Sequence, residues 1–225
     1  MPSREGRTHA PAPSLRDVFR SDSVPAARLR VDARQPIYAT GDEDDAMYLV
    51  ESGRVKIFMS SESGRDCLLA IYTAGEVFGE SCFASAAKRP ESASAMNRAV
   101  VRRLSRRDFL HEVRRSQLTD ELLRHLAARI GEGQSMILDL VTSDSERRLA
   151  KMLLNLAEKL GTPDGPYVRV EQRISHEDLS QMVGTTRPRV TAFLQNFKRM
   201  GMIDTPGPRS IRVHRQRIRE FLGLD

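Results

Sequence analysis

The chain has 225 residues, of which 40 % are hydrophobic and 29 % charged, and its formal net charge is +6. This length favours one or two domains with buried cores, and no apolar run approaches the roughly 18 residues of a membrane-spanning helix, which argues against an integral membrane protein. Two cysteines are too few for a disulfide framework, so we expect a reducing, cytoplasmic environment.

Residues 1–20 form the first predicted segment. It begins "MPSREGRTHAPAPS", which is polar, contains proline and lacks the apolar core of a signal peptide. We therefore expect a flexible tail.

Residues 21–115 are predicted to form a β-rich domain. Short runs of strand-forming residues alternate with Gly, Asp and Ser clusters, and "MYLVESGRVKIFM" indicates a hairpin around Ser52 and Gly53. Regularly spaced short strands favour a barrel or roll. A last strand ends near Ser105, which is placed to cap the following helix.

Residues 116–142 are predicted to form one long helix. Its charged residues favour a narrow apolar seam over burial on all sides, and we expect this seam to be a dimer interface. The alternative is a helix buried on the core of its own domain. The seam follows heptad-like spacings of three and four through Leu122, Leu126, Ile130, Gly133, Ile137 and Leu140.

Residues 143–225 carry most of the net charge. From residue 144 onwards there are 15 Lys and Arg against 10 Asp and Glu. A basic module beside a near-neutral one suggests a polyanion partner, although a basic surface that only confers solubility fits the charge equally well. The first helix here, "SERRLAKMLLNLAEKLG", is expected to end at Gly161 as a C′ glycine.

The stretch "RISHEDLSQMVGTTRPRVTAFLQNFKRMGMI" predicts a helix–turn–helix, closed by a short strand pair. Ser175 and Asp178 have the spacing of a capping box, and Gly184 permits the tight turn. Thr186 can cap the second helix, and Pro188 falls in its first turn, where proline is tolerated.

The outward face of the second helix is polar and flanked by arginines, as base reading in the major groove requires. An arginine such as Arg187 or Arg189 can take guanine, and Gln195 or Thr191 can read neighbouring bases. The alternative is a helical hairpin that binds no nucleic acid. The candidate DNA-contacting residues are Ser175, His176, Thr185, Thr186, Arg187, Pro188, Arg189, Thr191, Gln195, Lys198 and Arg199. Phosphate contacts are expected from Ser175, His176, Thr185, Lys198 and Arg199.

In the order of these elements, from about Asp32 to its end, the chain resembles the cyclic-AMP-receptor/FNR family of bacterial transcription regulators. The resemblance rests on the "GE" turn after repeated hairpins, the long helix, "RLAKMLLNLA" and "LSQMVGTTRPRVTAFLQNFKRMGMI". It implies an α+β fold with an N-terminal β-roll like the cyclic-nucleotide-binding jelly roll, a long dimerisation helix and a C-terminal winged helix–turn–helix. It also implies a homodimer on a near-palindromic DNA site, with RNA polymerase as a partner.

By the same resemblance, Gly79 and Glu80 match the start of the family's phosphate cassette, and Arg89 its phosphate-binding arginine. Pro90 stands where the family has Ser or Thr, and proline offers neither a hydroxyl nor an N–H group. The family's adenine-facing Thr-Ser pair on the dimerisation helix is missing. Gly133, Gln134 and Ser135 stand near the corresponding positions of that helix instead. The candidate effector pocket comprises Gly79, Glu80, Ser81, Cys82, Arg89, Ser92 and Gln134.

Several interpretations of this pocket stay open. It could bind cyclic AMP in the usual pose, bind another ligand, or bind no ligand. In the last case, Glu80 and Arg89 would pair with each other as a structural salt bridge. We expect a regulator that does not require cyclic AMP, and the alternative is a cyclic-nucleotide-responsive regulator that uses Gly79, Glu80 and Arg89.

Other cofactors are less well supported. An iron–sulfur cluster needs about four thiolates, and the chain offers only Cys67 and Cys82. Cys82 and His125 are conceivable haem ligands, Cys67 is expected to be a small core residue, and a thiol switch at Cys82 stays open. We expect no metal site and no enzymatic activity, because neither metal-ligand spacing nor a nucleophile–base pattern is visible.

Overall fold

A computed structural model describes residues 13–21, 24, 26–61, 66–84, 88–170, 175–207 and 210–224. Two compact units can be distinguished, Met1–Ile57 with Ala70–Ile130, and Phe58–Leu69 with Gly131–Asp225. Strands and helices occur in both, so the fold is α+β as predicted. Among the helices in the described ranges, none is long and apolar enough to cross a membrane.

The described elements up to Ser105 are mostly strands, with a single 3-10 turn at Glu80–Phe83. They are α1 (Leu15–Val18), β1 (Ala27–Val31), β2 (Pro36–Tyr38), β3 (Ala46–Ser52), β4 (Arg54–Ser60), β5 (Asp66–Thr73), β6 (Val77–Phe78), β7 (Ser92–Ala95) and β8 (Ala99–Ser105).

These strands form two four-stranded sheets, which confirms the predicted β-roll. One has the order β1-β8-β3-β6 and the other β2-β7-β4-β5. The register of β3 against β8 pairs Ala46 with Ser105 and Val50 with Val101, antiparallel. Successive side chains of a strand point to opposite faces, and every residue from Ala46 to Val50 is buried. Strand β3 is therefore covered on both faces.

The N-terminal tail is shorter than predicted. Ser14 caps α1 through a capping box with Asp17, and Leu15, Val18 and Phe19 are buried in a core cluster that also contains Phe109. Residues 14–19 thus belong to the folded unit, whereas the sequence pattern placed them in a flexible tail. Residues 1–12 of that predicted tail lie outside the described residues.

The long helix is present, but it begins later than predicted. Helix α2 (Arg106–Arg115) starts after Ser105, whose hydroxyl accepts a hydrogen bond from the Asp108 N–H group at 3.1 Å, which confirms the predicted cap. Helix α3 spans Thr119–Thr142. Between them, Gln117 has a φ of 55°, a left-handed backbone conformation that interrupts the helical path.

The exposed stripe on α3 coincides with the predicted apolar seam at two of six positions and lies one residue further along at the other four. Leu122 is only 8 % exposed and packs in the core of its own unit, and Leu126 packs against the same core, so both already have packing partners within the chain. Of the other predicted positions, Ile130 and Ile137 lie on an outward-facing stripe of exposed residues, and Gly133 and Leu140 are exposed beside it. The outward stripe, which we call the exposed seam, consists of Leu123, Ala127, Ile130, Gln134, Ile137 and Val141.

The second unit contains the predicted winged helix–turn–helix. Its sheet has the order β11-β12-β10-β9. The sequence reasoning missed the last helix, α7, which starts after His214 and buries Ile218. The elements are α4 (Ser145–Leu160), β9 (Thr162–Asp164), β10 (Tyr167–Val170), α5 (His176–Val183), α6 (Arg187–Arg199), β11 (Ile203–Gly207), β12 (Ser210–Val213) and α7 (Arg215–Leu222).

Gly161 ends α4 for a different reason than expected. Its φ of −88° and ψ of 153° are extended, not the left-handed conformation of a typical C′ glycine. A Cβ atom at this position would lie 2.1 Å from Cγ1 of Val168 and 2.4 Å from the carbonyl oxygen of Ala157. Glycine is required here because the strand and the helix end approach too closely for a side chain.

We therefore expect Gly161→Ala to lower the free energy of unfolding by about 1–3 kcal/mol, the usual cost of overpacking. Gly207→Ala is the matched control, because a Cβ atom there meets no atom of the described residues within 4 Å. Urea unfolding of both variants checks this, and equal stabilities would contradict the steric explanation.

Candidate nucleic-acid interface and effector pocket

The first helix of the helix–turn–helix is fixed at its start by a capping box. The Ser175 hydroxyl accepts a hydrogen bond from the Asp178 N–H group at 3.0 Å, and the Asp178 carboxylate accepts from the Ser175 N–H group at 3.1 Å. Both predicted partners are therefore in place. The Ser175 hydroxyl also donates to Asp178 at 2.6 Å, so the N–H and O–H donors of Ser175 are both already used within the chain.

The turn between α5 and α6 depends on Gly184, which has a φ of 67° and a ψ of 47°. This left-handed conformation favours glycine and confirms the predicted role. The guanidinium of Arg148 donates to the Val183 carbonyl oxygen at 2.9 Å, just before the turn. A cation at the C-terminal end of α5 is electrostatically favourable and holds the turn against α4.

Helix α6 is amphipathic in the predicted sense. Val190, Leu194 and Phe197 are buried, and Pro188 lies in the first turn. Thr186 occupies the N-cap position, but its side chain makes no capping hydrogen bond. The inward face therefore fixes the position of the helix, and the outward face is not needed for packing.

The candidate contact residues on the outward face are mostly exposed. Exposed residues are Thr186, Arg187, Pro188, Arg189, Gln195, Lys198 and Arg199, together with His176 on α5. Within the described part of the chain, the side chains of Arg187 and Gln195 have no hydrogen-bond or ion-pair partner. A guanidinium and an amide are thus presented to solvent with all their donors available.

Other candidates are engaged inside the motif. The Thr191 hydroxyl donates to the Arg187 carbonyl oxygen at 3.1 Å and lies 2.9 Å from Nδ1 of His176. Nζ of Lys198 donates to the Thr205 hydroxyl at 3.2 Å, which links α6 to the wing. Thr185 is half-buried, and its N–H group donates to the Ser180 carbonyl oxygen at 3.1 Å. These residues form hydrogen bonds within the motif and so stabilise the outward face of α6.

The candidate effector pocket is built around Gly79. Its φ of 97° is left-handed, and a Cβ atom there would lie 2.9 Å from the Ala46 carbonyl oxygen. The backbone then turns directly into the 3-10 segment, and the Cys82 N–H group donates to the Gly79 carbonyl oxygen at 3.1 Å. This close approach brings β3 and the Gly79–Glu80 turn together around one side chain, that of Arg89.

Arg89 points inward and is only 2 % exposed. Its Nε and Nη2 atoms donate to Oδ2 of Asp44 at 3.0 and 2.6 Å. Nη1 donates to the Gly79 carbonyl oxygen and to Oγ of Ser81, each at 2.7 Å, and Nη2 also donates to the Ala46 carbonyl oxygen. A guanidinium has five N–H donors, so all five have acceptors within the chain.

Asp44 is held from a second direction by Arg103, whose Nη2 donates to Oδ1 at 2.7 Å. Burial by itself would raise the pKa of Asp44, but the hydrogen bonds from Arg103 and Arg89 outweigh it and lower the pKa below its usual value. The carboxylate is therefore ionised at neutral pH. The sequence reasoning missed both Asp44 and Arg103, and only their positions in turn and strand patterns were visible.

Glu80 does not pair with Arg89, so the predicted Glu80–Arg89 salt bridge is wrong. Oε1 of Glu80 accepts instead from Nε of Arg129 on α3 at 2.9 Å and from the Tyr72 hydroxyl at 3.4 Å. Oε2 of Glu80 is buried without a hydrogen-bond partner among the described residues. Within the chain, the carboxylate of Glu80 is thus paired with Arg129, and the guanidinium of Arg89 is paired with Asp44.

The remaining pocket residues are also hydrogen-bonded. Oε1 of the buried Glu91 accepts from the Ser81 hydroxyl at 2.5 Å and from the Tyr38 hydroxyl at 3.1 Å. Oγ of Ser92 accepts from the Thr40 N–H group at 2.9 Å. Burial and the Glu91 charge raise the pKa of Tyr38 above its usual value, so its hydroxyl stays protonated and donates. Gln134 lies exposed on α3.

The two cysteines behave differently from each other. Burial raises the pKa of Cys82 to about 12, so it carries almost no reactive thiolate at neutral pH, which disfavours a thiol switch. Cys67 is exposed on β5, and the expectation that it belongs to the core was wrong. Within the described ranges, no group of three or more His, Cys, Asp and Glu could hold a metal ion.

Comparison with known proteins identifies two matching domain families. Residues 28–116 match a cyclic nucleotide-binding domain, and residues 147–219 match a Crp-like helix-turn-helix domain. A Mycobacterium tuberculosis protein, the CRP-like cAMP-activated global transcriptional regulator, is 34 % identical over 174 residues, covering 76 % of this chain and 77 % of that protein. The cyclic AMP receptor protein of Thermus thermophilus is 32 % identical over 191 residues, covering 84 % of this chain and 85 % of that protein. A solved structure of a CooA mutant from Carboxydothermus hydrogenoformans has the same fold, with a TM-score of 0.76 at 24 % identity, covering 93 % of this chain and 96 % of that one.

The two N-cap residues of the helix–turn–helix should contribute unequally to stability. We expect Ser175→Ala to lower the free energy of unfolding by about 1 kcal/mol, because it removes a capping hydrogen bond. Thr186→Ala should cost clearly less, because the Thr186 side chain makes no such bond. Thermal and denaturant unfolding of both variants checks this, and equal losses would refute it.

Proposed function

The chain belongs to the CRP/FNR family of transcription regulators, and we propose that it binds a near-palindromic DNA site as a homodimer without requiring cyclic AMP. Its relatives are named as transcription regulators, and the chain itself is a DNA-binding regulator and not an enzyme. The observation that carries the proposal is the outward face of α6, where Arg187 and Gln195 are exposed.

DNA reading is assigned to the outward face of α6. The planar guanidinium of Arg187 can donate two hydrogen bonds to O6 and N7 of guanine, and Gln195 can pair with adenine. The cations of Arg189, Lys198 and Arg199 are suited to phosphates, which position the helix without specifying sequence. Thr191 and Ser175 support this face from within the motif.

Dimerisation is assigned to the exposed seam of α3. Its residues recur at alternating spacings of four and three, as in a coiled coil. Ile130, Ile137 and Val141 are 61, 63 and 80 % exposed in a single chain, which is unfavourable for large apolar side chains unless a partner covers them. An identical helix of a second copy carries the complementary seam, and two-fold symmetry matches a near-palindromic site.

The absence of a cyclic AMP requirement is supported by the pocket. Pro90 removes a hydroxyl and an N–H group, and Arg89 has no free donor. The second candidate function is regulation by a cyclic nucleotide through Gly79, Glu80 and Arg89. It is favoured by the cyclic nucleotide-binding domain match and by the named activation of the Mycobacterium tuberculosis relative by cAMP.

Two further assignments follow from the family. A regulator that binds promoter DNA acts on transcription by RNA polymerase, which we propose as its protein partner. The bacterial chromosome lies in the cytoplasm, and we propose that location for the chain.

The DNA proposal is tested by selection from a degenerate DNA pool with and without cyclic AMP. We expect the wild type to enrich the same palindrome in both arms. Arg187→Ala should bind the selected site about 1–3 kcal/mol more weakly and lose one base preference, whereas Arg114→Ala, an exposed arginine on α2, should match the wild type. Enrichment only with cyclic AMP would favour the second candidate, and no enrichment in either arm would refute the proposal.

The dimer proposal is tested by Ile137→Asp, which places a charge in the exposed seam. We expect its dimer dissociation constant to rise at least about 30-fold, as at an interface hot spot. Ser135→Asp, exposed on the same helix but off the seam, should leave the dimer intact. Sedimentation equilibrium measures both, and an undisturbed Ile137→Asp dimer would contradict the assignment.

A further inference from the structure

The buried guanidinium of Arg89 already has an anion as its partner, supplied by the chain itself. We propose that Asp44 is a built-in anion that occupies Arg89 and so excludes cyclic phosphates from this pocket. The inference deepens the proposed function, because it names the residue that determines which ligands the sensing unit accepts.

The first argument is saturation. The carboxylate of Asp44 takes two of the five Arg89 donors, and the Gly79 carbonyl, the Ala46 carbonyl and the Ser81 hydroxyl take the others. A phosphate entering here gains a hydrogen bond only by displacing an existing acceptor. The displaced acceptor would lose its hydrogen bond from Arg89 in a mostly buried site, which offsets much of what the new bond provides.

The second argument is that Asp44 cannot easily give way. Its Oδ1 accepts from Nη2 and Nε of Arg103 at 2.7 and 3.2 Å, and its Oδ2 accepts from the Tyr48 hydroxyl at 3.1 Å. The backbone adds to this, because the Arg89 N–H group donates to the Asp42 carbonyl oxygen at 2.9 Å. The loop that carries Asp44 is thus tied to the chain segment that carries Arg89.

The third argument is orientation. The guanidinium carbon of Arg89 lies 4.3 Å from the ring centroid of Tyr38, within the range of a cation–π contact. The Tyr48 ring centroid lies 5.9 Å away. Two aromatic side chains therefore hold the guanidinium in the orientation that serves Asp44, and turning it outward would break these contacts as well.

The fourth argument is charge balance. The groups facing Arg89 include a second carboxylate, Glu91, whose Oε1 lies 4.0 Å from Nη1. Arg89 and Arg103 supply two positive charges, and Asp44 and Glu91 supply two negative charges. The cluster is neutral as it stands, so an added cyclic phosphate would meet two nearby carboxylates in a poorly solvated site, where like charges repel strongly.

The proposal is tested by isothermal titration of cyclic AMP into the full-length wild type, Asp44→Asn and Asp45→Asn. Asp45 is the matched control, because it is the neighbouring acid and is exposed. We expect no heat of binding with the wild type or Asp45→Asn up to about 1 mM, and binding to Asp44→Asn that is at least about 100-fold tighter than to the wild type. A wild type that binds cyclic AMP, or a folded Asp44→Asn variant that does not, overturns the proposal.

A second measurement is made on the wild type and does not depend on the folding of Asp44→Asn. The Nε–H resonance of Arg89 in the wild type, assigned by its loss in Arg89→Lys, should exchange slowly with solvent and keep its position when cyclic AMP is added. Movement of this resonance overturns the proposal. Binding of each protein to the selected DNA without nucleotide is measured separately. The result for Asp44 can therefore still be interpreted if the DNA-binding proposal fails.

Discussion

The first unit is organised around a single buried cation. A guanidinium that is almost fully buried is tolerated only when charged and neutral acceptors surround it, because burial of an unpaired ion is very costly. Arg89 satisfies this requirement with acceptors from three separate segments: the loop before β3, β3 itself and the Gly79–Glu80 turn. The left-handed backbone of Gly79 and its contact with Ala46 are needed to bring these acceptors within reach. We propose that the same arrangement that stabilises the roll also determines which ligands its pocket accepts.

The features that could be predicted from sequence are those fixed by neighbours along the chain. The capping box of Ser175 and Asp178 joins residues three apart, and Gly184 follows α5 directly, so a local pattern specifies both. The order of strands, long helix and helix–turn–helix was likewise predicted from sequence patterns, and the family resemblance implied the winged form of the last domain. The partners of Arg89 and Glu80 could not be read, because they lie 45 and 49 residues away in the chain. Pairing across such distances depends on the completed fold.

Two errors on helices have a common physical origin. A helix with apolar residues at Leu122 and Leu123, and at Ile137 and Leu138, offers more than one stripe with heptad spacing. Only packing within the folded chain separates them, by burying Leu122 in the core and leaving Leu123 outside. Gly161 is similar, because the helix end was readable but the contact with Val168 on β10 was not. Spacing predicts that a face exists, and the tertiary structure decides which residues it contains.

The distribution of paired arginines separates the roles of the two kinds of surface. In the first unit, several arginines are matched with acids, in the pairs Arg28–Glu51, Arg102–Glu51, Arg103–Asp44, Arg89–Asp44, Arg115–Glu112 and Arg129–Glu80. On α6 the pattern is reversed, since Arg187 carries its charge to solvent without an acid partner in the described part of the chain. A surface with matched charges has little to gain from a polyanion, whereas unmatched guanidinium groups on an exposed helix gain both attraction and hydrogen bonds from DNA. The arginines paired with acids therefore stabilise the fold, and the unmatched guanidinium groups on α6 are available for DNA.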